Sequence, residues 1–529
     1  MNRGVLAAVT ILLFAAFLNF RGIDREKYEN DEALWILQGL KYWPLFRSGQ
    51  WDRREWNDFD SSWGTPNPPV AKYLLGIGLA AQNVQWKWDG GNPPPKRVLA
   101  AARLPSAIAG ILGCAGMLCI GLLSLPRRAA FYAALLLATS PVWIIASRHA
   151  MTDIYGATLA ISSVVPFLLA LKEIEGRRRS SLALLWISVS GVLAGLAIGA
   201  KLNAASTPAA LGLVLMILFV RELLLRRGER DGRAGLFFLS GVVFAGAAAG
   251  TFVLMNPYLY PDPWKRFSEM IGWWTNMTDW RAASAEELKL NAFQPQQHGV
   301  RVFFGKLMMI PKSIALSLLL PLGVAIVARR HALAGGRAFH SSLLVRLAAW
   351  QLLLMVALLL GMWPNQILHP WLVWFGCLCA VMALVLFASD RPWGGVFRFP
   401  VFAVLTWGIV CAFFVWRMTF IPWPRYYIPA IPGLSLLAGY GLAAFREDLR
   451  AAFGAWPARL VDGAVIFCAV SVAVAFPDYG AARMQKMSAA GGTPLGIFLW
   501  LVITSLAAAV AISWIRLRDE RRGQNLREA

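Results

Sequence analysis

Long uninterrupted apolar runs constrain this chain more than any other feature. Six of them reach or approach the roughly 20 residues needed to cross the hydrocarbon core of a bilayer. They lie at residues 104–124, 235–255, 347–363, 371–388, 401–416 and 495–515. The chain of 529 residues is also 58% hydrophobic and only 15% charged, unlike a soluble protein of this length. We therefore predict an all-α polytopic membrane protein.

The apolar runs and the polar breaks between them predict about 14 transmembrane helices. We place these spans at residues 5–20, 100–124, 129–146, 153–171, 182–199, 205–220, 234–254, 308–328, 347–362, 369–388, 399–416, 426–444, 460–476 and 495–515.

Lysine and arginine residues set the orientation of these spans. With the N-terminus in the cytoplasm, the inner segments carry 26 of them and the short outer loops carry six. Cytoplasmic loops are enriched in positive charge, so this asymmetry supports the chosen orientation and accounts for most of the net charge of +22. We accordingly expect membrane lipids as partners and no nucleic acid.

Two outer segments are long, at residues 21–99 and 255–307. The first contains two stretches, 31–43 and 68–86, that we predict to be interfacial helices lying on the membrane surface. The second stretch is shorter than a span, is interrupted by Lys72 and Gln82, and begins with prolines, which the first helical turn tolerates. We divide the chain into a catalytic transmembrane module, 1–445, and C-terminal helices with a cytoplasmic tail, 446–529.

Polar chemistry is concentrated at the outer ends of the spans and in the outer loops. An ion-coupled transporter usually carries ionisable groups near the membrane midplane, and none is evident in the sequence. A layer of polar residues at the membrane boundary suits an enzyme whose substrate has a lipid tail and a water-soluble head. A lipid or small-molecule transporter remains the alternative, and an accessory protein derived from an enzyme is a third hypothesis.

The acids Asp31 and Glu32 follow the first span by about ten residues. Adjacent helical residues point about 100° apart, so the two carboxylates can divide the work, one facing a substrate and the other a cation or a supporting arginine. The alternative is that both acids simply complement the dipole of a helix start.

Further candidates lie on the same side of the membrane. Lys72, inside the first turns of an interfacial helix, could bind a phosphate or could extend along the lipid surface. Asp153 could act in the site or cap a helix, and His298 could be a ligand or an ordinary surface residue. The remaining candidates are Asn67, Arg148, Lys201, Arg425 and Tyr426.

Six pieces in this order resemble the GT-C membrane glycosyltransferases, and most closely the protein O-mannosyltransferases and the aminoarabinose transferases of lipid A. The pieces are Asp31-Glu32, NPPVAKYLLG, ARLPSAIAG, SRHAMTD, GLAIGAKLN and RYYIPAIPGL. The resemblance implies the GT-C fold and inverting transfer of a sugar from a polyprenyl phosphate. Asp31 matches the acid that deprotonates the acceptor hydroxyl.

The resemblance also implies cations for the donor phosphate, for which Lys72, Arg148, Lys201 and Arg425 are the candidates. Relatives often carry His or Lys where this chain has Asn67. We expect Asn67, Asp153, Tyr426 and His298 to support the site, and we leave open a divalent metal held by Glu32, Asp153 or His298.

The expected partners are a polyprenyl-phosphate-linked sugar and an acceptor hydroxyl or phosphate on a protein or an envelope lipid. Mannosyl transfer to protein Ser/Thr and sugar transfer to an envelope lipid or glycan are the leading reactions. The 39 arginines against 12 lysines, together with abundant alanine and glycine, suggest a GC-rich bacterial gene and hence the plasma membrane. The active site is expected on its non-cytoplasmic side.

Overall fold

The computed structural model describes residues 3–26, 28–51, 56, 67–87, 93–176, 180–224, 233–260, 262–272, 399–418, 428–453 and 455–475. A helical stretch at 263–272 runs to the edge of the described part, and thirteen further α-helices are bounded within these residues. They are α1 (Arg3–Phe20), α2 (Asn30–Arg47), α3 (Val70–Ala81), α4 (Lys96–Ser124), α5 (Arg127–Ala138), α6 (Pro141–Arg148), α7 (Thr152–Glu175), α8 (Ser180–Ala200), α9 (Ser206–Leu224), α10 (Ala234–Leu254), α11 (Phe399–Met418), α12 (Ile431–Phe453) and α13 (Ala455–Ala475). Short 3-10 turns follow α8 and α10, at Leu202–Ala205 and Pro257–Leu259.

The described residues contain helices and no strand, which confirms the predicted all-α membrane class. In the part of the chain that the structure describes, five stretches are long and apolar enough to cross a bilayer, and six if α5 and the bent continuation in α6 form one span. Because a lipid interior offers no partner for backbone polar groups, helices satisfy them internally. Four predicted spans, 308–328, 347–362, 369–388 and 495–515, lie outside the described residues, so the count of 14 stays a prediction.

The predicted span 129–146 is not one straight helix. It is two helices, α5 and α6, whose axes differ by 56° across a break at Thr139–Ser140. Pro141 begins α6, where its missing N–H costs nothing, but it cannot continue the hydrogen-bond ladder of α5. A second difference is at 426–444, where α12 begins only at Ile431 and runs on to Phe453.

The two helices of the first outer segment pack directly on each other. α2 extends four residues beyond its predicted end, and α3 is shorter than predicted. Their backbones meet at Gly39 and Gly76, where a Cβ added to Gly76 would overlap the Gly39 carbonyl. α3 is too short to cross a bilayer, as expected of an interfacial helix. This close contact makes α2 and α3 one unit.

Small residues also allow close packing within the bundle. α8 lies between α7 and α10, and Gly191 and Gly195 face the α10 backbone at Phe244 and Ala248. This spacing of four residues is typical of tightly packed membrane helices.

The polar residues at the two ends of the bundle differ in arrangement. At the end predicted to be cytoplasmic, Arg446 pairs with Asp462 at 2.9 Å, and Arg128 pairs with Glu447. These contacts tie α5, α12 and α13 together. The opposite end gathers α2 and α3 with the ends of α1, α6, α8 and α10 and the starts of α4 and α7. The candidate site lies at this end.

Candidate active site

The two neighbouring acids of α2 have different surroundings. Glu32 is fully buried, and its carboxylate forms a two-pronged ion pair with Arg103 at the start of the apolar part of α4. Arg103 Nε donates to Oε1 at 2.8 Å and Nη2 donates to Oε2 at 2.7 Å. Asp31 is partly exposed. From the sequence, one acid was expected to face a cation or a supporting arginine. In the structure that acid is Glu32, and its partner is Arg103.

Further donors complete the surroundings of Glu32. The backbone N–H of Ala150 donates to Oε1 at 2.9 Å, and that of Glu29 donates to Oε2 at 3.1 Å. Burial alone would raise the pKa of the Glu32 carboxyl. The Arg103 hydrogen bond, the charges of His149 and Arg103 and the Ala150 N–H outweigh burial and lower the pKa. The lowered pKa favours the ionised carboxylate, which the ion pair with Arg103 holds in place.

Arg103 also fixes the segment that precedes α2. Its Nη1 donates to the carbonyls of Ile23 and Glu26, at 2.9 and 3.1 Å. One buried guanidinium thus connects the end of α1, the start of α2 and α4. A buried ion pair is stable only when its remaining donors and acceptors are satisfied, as they are here.

A single stripe of α2 carries Asp31, Trp35, Gln38 and Tyr42. At 100° per residue these four positions fall within an arc of about 60°. Two lysines from other elements lie over the aromatic rings of this stripe. Lys201 Nζ is 5.8 Å from the Trp35 ring centre, and Lys72 Nζ is 4.7 Å from the Tyr42 ring centre. The stripe therefore joins the partly exposed acid to two cationic positions.

Lys201 lies at the end of α8, beside the start of α7. Its Nζ donates to Thr152 Oγ1 at 3.2 Å and lies 3.5 Å from Asp153 Oδ1. Gly156 makes room for this lysine, because a Cβ at Gly156 would lie 2.8 Å from Lys201 Cβ. Asp153 is thus brought next to a candidate phosphate-binding lysine.

Lys72 lies at a small pocket where the two outer segments meet. Its Nζ donates to the Asn67 carbonyl at 2.8 Å. The pocket is lined by Tyr42, Trp56, Asn67, Pro69, Lys72, Asn256 and Tyr258. Asn256 is 2% exposed, and within the described ranges its Nδ2 has no hydrogen-bond acceptor. An ammonium and an unsatisfied amide N–H2 at one pocket are suited to an anion.

The charge state of Lys72 depends on what occupies the pocket. Burial lowers the pKa of the Lys72 ammonium well below its ordinary value, and the charges of Lys41 and Lys201 lower it further. A bound anion would restore the charged form, because an opposite charge nearby favours it.

Arg148 has a different arrangement from the one expected of a phosphate ligand. Its Nη1 and Nη2 donate to the carbonyls of Leu18 and Gly22, both at 3.0 Å, and its Nε lies 2.9 Å from Glu26 Oε2. It fastens α6 to the end of α1 and the following turn. We therefore assign Arg148 to holding the loop and leave it out of the phosphate site.

Three other candidates, His298, Arg425 and Tyr426, lie outside the described residues. For a metal, the two remaining ligand candidates fit poorly, because the Glu32 oxygens accept from Arg103 and two backbone N–H groups and Asp153 faces Lys201. No three His, Cys, Asp or Glu residues of the described part lie together as a metal site. We derive no step through a metal.

Sequence reasoning did not assign Arg103, Tyr42, Gln38 or Asn256 to the site. Arg103 offered a signal, since an arginine directly before a long apolar run is costly to bury without a partner. The other three offered none, because their role depends on packing between segments distant in the sequence.

A family model matches a stretch in the first half of this chain. Residues 59–255 match dolichyl-phosphate-mannose-protein mannosyltransferase. This match covers α3 to α10 and includes Lys72, Arg103 and Lys201. It confirms the resemblance to the membrane glycosyltransferases stated from the motifs. Among curated proteins, none matches the sequence.

Solved structures of membrane transferases are also similar to this chain at low sequence identity. The oligosaccharyltransferase AglB from Archaeoglobus fulgidus, in complex with an inhibitory peptide and a dolichol-phosphate, is 14% identical with a TM-score of 0.44. The alignment covers 92% of this chain and 56% of AglB, so this chain spans about half the length of that protein. ArnT from Cupriavidus metallidurans bound to undecaprenyl phosphate is 16% identical with a TM-score of 0.44, covering 95% of this chain and 76% of ArnT.

Proposed function

We propose that this protein is an inverting glycosyltransferase that moves a sugar from a polyprenyl phosphate to an acceptor on the non-cytoplasmic side of the membrane. The observation that carries the proposal is the α2 stripe. It places the partly exposed Asp31 in line with a pocket where Lys72 and the unsatisfied Asn256 amide meet. The family match supports the same reaction class.

The length of the stripe suits a single displacement. Asp31 precedes Tyr42 by 11 residues, which corresponds to about 16 Å along the helix axis. The Lys72 ammonium lies 4.7 Å from the Tyr42 ring centre, at the far end of this distance from Asp31. A phosphate on Lys72, an anomeric carbon and an acceptor hydroxyl near Asp31 can occupy this space in one row.

The reaction then needs one base and one cationic site. Asp31 takes the proton of the acceptor hydroxyl while the acceptor oxygen forms a bond to the anomeric carbon. The bond from that carbon to the phosphate oxygen breaks, with inversion. The leaving polyprenyl phosphate gains negative charge as it becomes a monoester, and Lys72 and the Asn256 amide stabilise that charge. Lys201, over Trp35, is a second cation near the reacting groups.

The acceptor is the less constrained partner. The matched family transfers mannose to proteins, so mannosyl transfer to a protein Ser/Thr is our leading proposal. Sugar transfer to an envelope lipid or glycan is the second form of the same reaction. The exposed side of Asp31 would receive either acceptor from the aqueous side of a bacterial plasma membrane.

The transporter alternative gains no support from the described helices. The buried ion pairs Glu32–Arg103, Glu26–Arg148 and Asp153–Lys201 all lie at the same end of the bundle rather than midway along it. A transport pathway would place such groups near the midplane.

The decisive experiment replaces Asp31 with asparagine in the purified full-length protein. Asn has nearly the same shape but cannot take the acceptor proton, so Asp31→Asn should reduce turnover by about 10²–10⁴-fold. Donor binding should persist, since it rests on Lys72 and Asn256. Turnover is measured with polyprenyl-phosphate mannose and acceptor peptides or envelope lipids. An Asp31→Asn enzyme with wild-type turnover would show that another group is the base.

A further inference from the structure

The amide of Gln38 is buried in the middle of the α2 stripe. The side chain is 3% exposed, and neither Nε2 nor Oε1 has a hydrogen-bond partner among the described residues. Buried amides are almost always hydrogen-bonded, because removing them from water without a partner is costly. An amide with both its donor and its acceptor unsatisfied therefore indicates a missing polar partner.

The position of Gln38 shows which part of a donor would meet it. Gln38 follows Asp31 by seven residues and precedes Tyr42 by four, which places it about 10 Å from one and about 6 Å from the other along the axis. The phosphate position at Lys72 lies over Tyr42, and the acceptor position lies at Asp31. Gln38 thus lies between them, where the transferred sugar has to be.

The chemistry of the amide separates a sugar from the other parts of the donor. A primary amide offers an acceptor oxygen and an N–H2 donor side by side. Adjacent hydroxyls of a hexose ring can donate to the first and accept from the second. An ionised phosphate can only accept, and a polyprenyl chain can do neither.

We infer that Gln38 binds adjacent ring hydroxyls of a hexosyl donor and so contributes to sugar recognition. The inference rests on the proposed function and adds the residue that distinguishes the sugar from its lipid phosphate carrier. Asn256 and Lys72 belong to the phosphate end, whereas Gln38 belongs to the sugar end.

The test compares three ligands that share one lipid. Binding of dolichyl phosphate and of its mannosyl and glucosyl derivatives is measured on the full-length protein. Gln38→Met removes both hydrogen-bonding atoms and keeps a side chain of similar length. The control is Gln82→Met, because Gln82 Nε2 donates to the carbonyls of Gly78 and Ala101 at the far end of α3. Lys72→Met serves as the phosphate-end comparison.

Each variant has a distinct expected result. Gln38→Met should bind at least one hexosyl donor about tenfold more weakly, consistent with the loss of one or two neutral hydrogen bonds, and should bind dolichyl phosphate as the wild type does. Its thermal stability should be equal or higher, because an unsatisfied buried amide is gone. Gln82→Met should lose stability but keep the wild-type preference, and Lys72→Met should weaken all three ligands.

Other outcomes overturn the inference or the proposed function separately. If Gln38→Met weakens dolichyl phosphate and hexosyl donors equally, or weakens none, Gln38 does not recognise the sugar. The same holds if the wild type binds hexosyl donors no differently from dolichyl phosphate. A wild-type protein that binds none of the three ligands would contradict the proposed function itself.

Discussion

At the scale of single residues, the two adjacent acids of α2 lie in opposite environments. The Glu32 carboxylate pairs with Arg103 and accepts hydrogen bonds from two backbone N–H groups, so it stabilises the local structure. Asp31, one residue earlier and about 100° around the helix, keeps contact with solvent. A sequence alone shows two equivalent carboxylates, whereas the packing distinguishes them.

This difference gives a pair of opposite expected phenotypes. Glu32→Gln leaves Arg103 as a buried cation without its carboxylate, which typically costs about 3–5 kcal/mol. The variant should lose thermal stability and yield, but its folded fraction should retain turnover within about tenfold of wild type. Asp31→Asn should show the reverse pattern. Thermal unfolding in detergent and turnover per folded molecule measure the two effects, and equal losses of stability in both variants would contradict the division.

Lys72 should make donor binding depend on pH. Because burial and the charges of Lys41 and Lys201 lower its pKa, the ammonium loses its proton at a lower pH than an ordinary lysine. Affinity for a polyprenyl phosphate should be full below that pKa and should fall as the pH rises through it.

Lys72→Arg provides the control, since arginine stays protonated at every pH at which Lys72 would lose its proton. The fall in affinity should move to higher pH or disappear in the variant. A pH titration of ligand binding by fluorescence or calorimetry measures it. An identical pH profile in both proteins would assign the titration to another group.

At the scale of elements, the contact between α2 and α3 sets the position of the whole stripe. Gly39 and Gly76 allow the two backbones to touch, which brings Lys72 of α3 over Tyr42 of α2. Any side chain at this contact would separate the helices and move the lysine away from the ring.

Gly76→Ala should therefore reduce both stability and donor affinity. The added methyl group would overlap the Gly39 carbonyl and Trp43 Cβ, and overpacking typically costs about 1–3 kcal/mol. Gly246→Ala in α10 is a matched control, because a Cβ there meets nothing within 4 Å. The control should keep wild-type affinity and stability, as judged by thermal unfolding and ligand binding. A Gly76→Ala protein with unchanged affinity would show that donor binding does not depend on the contact between α2 and α3.

The elements also show what a sequence can and cannot predict. Hydropathy located α4, α7, α8 and α10 to within a few residues, because an apolar run of span length has one structural solution in a bilayer. It missed the break between α5 and α6, since the run at 129–146 is apolar on both sides of Pro141. Lys72, Lys201 and Asp31 were found as outer polar residues, but no local pattern shows that Gln38 and Asn256 lack partners.

At the scale of the whole molecule, the residues of the site come from both outer segments and from the ends of several membrane helices, all at one end of the bundle. The charge bias of the loops predicts that this end lies outside the cytoplasm. The opposite end carries the Arg446–Asp462 and Arg128–Glu447 pairs instead.

Labelling of introduced cysteines tests this orientation. Ser48, exposed at the end of α2, should react with a membrane-impermeant thiol reagent in intact cells after replacement by cysteine. Ser181, exposed at the start of α8, should react only after the cells are opened. Labelling of the unaltered protein gives the background from its native cysteines. Reaction of the Ser181→Cys protein in intact cells would show that the orientation is reversed and that the site faces the cytoplasm.

The ion pair that holds α2 also bears on how the protein is made. Glu32 takes its partners from positions 29, 103 and 150, and Arg103 in turn holds the carbonyls of Ile23 and Glu26. A nascent chain emerging from the ribosome cannot complete this set until α4 and the connection between α6 and α7 have been synthesised. Asn256 arrives about a hundred residues later. During biogenesis the segment that carries Asp31 can therefore be fixed in place before Asn256 and the rest of the pocket have been synthesised.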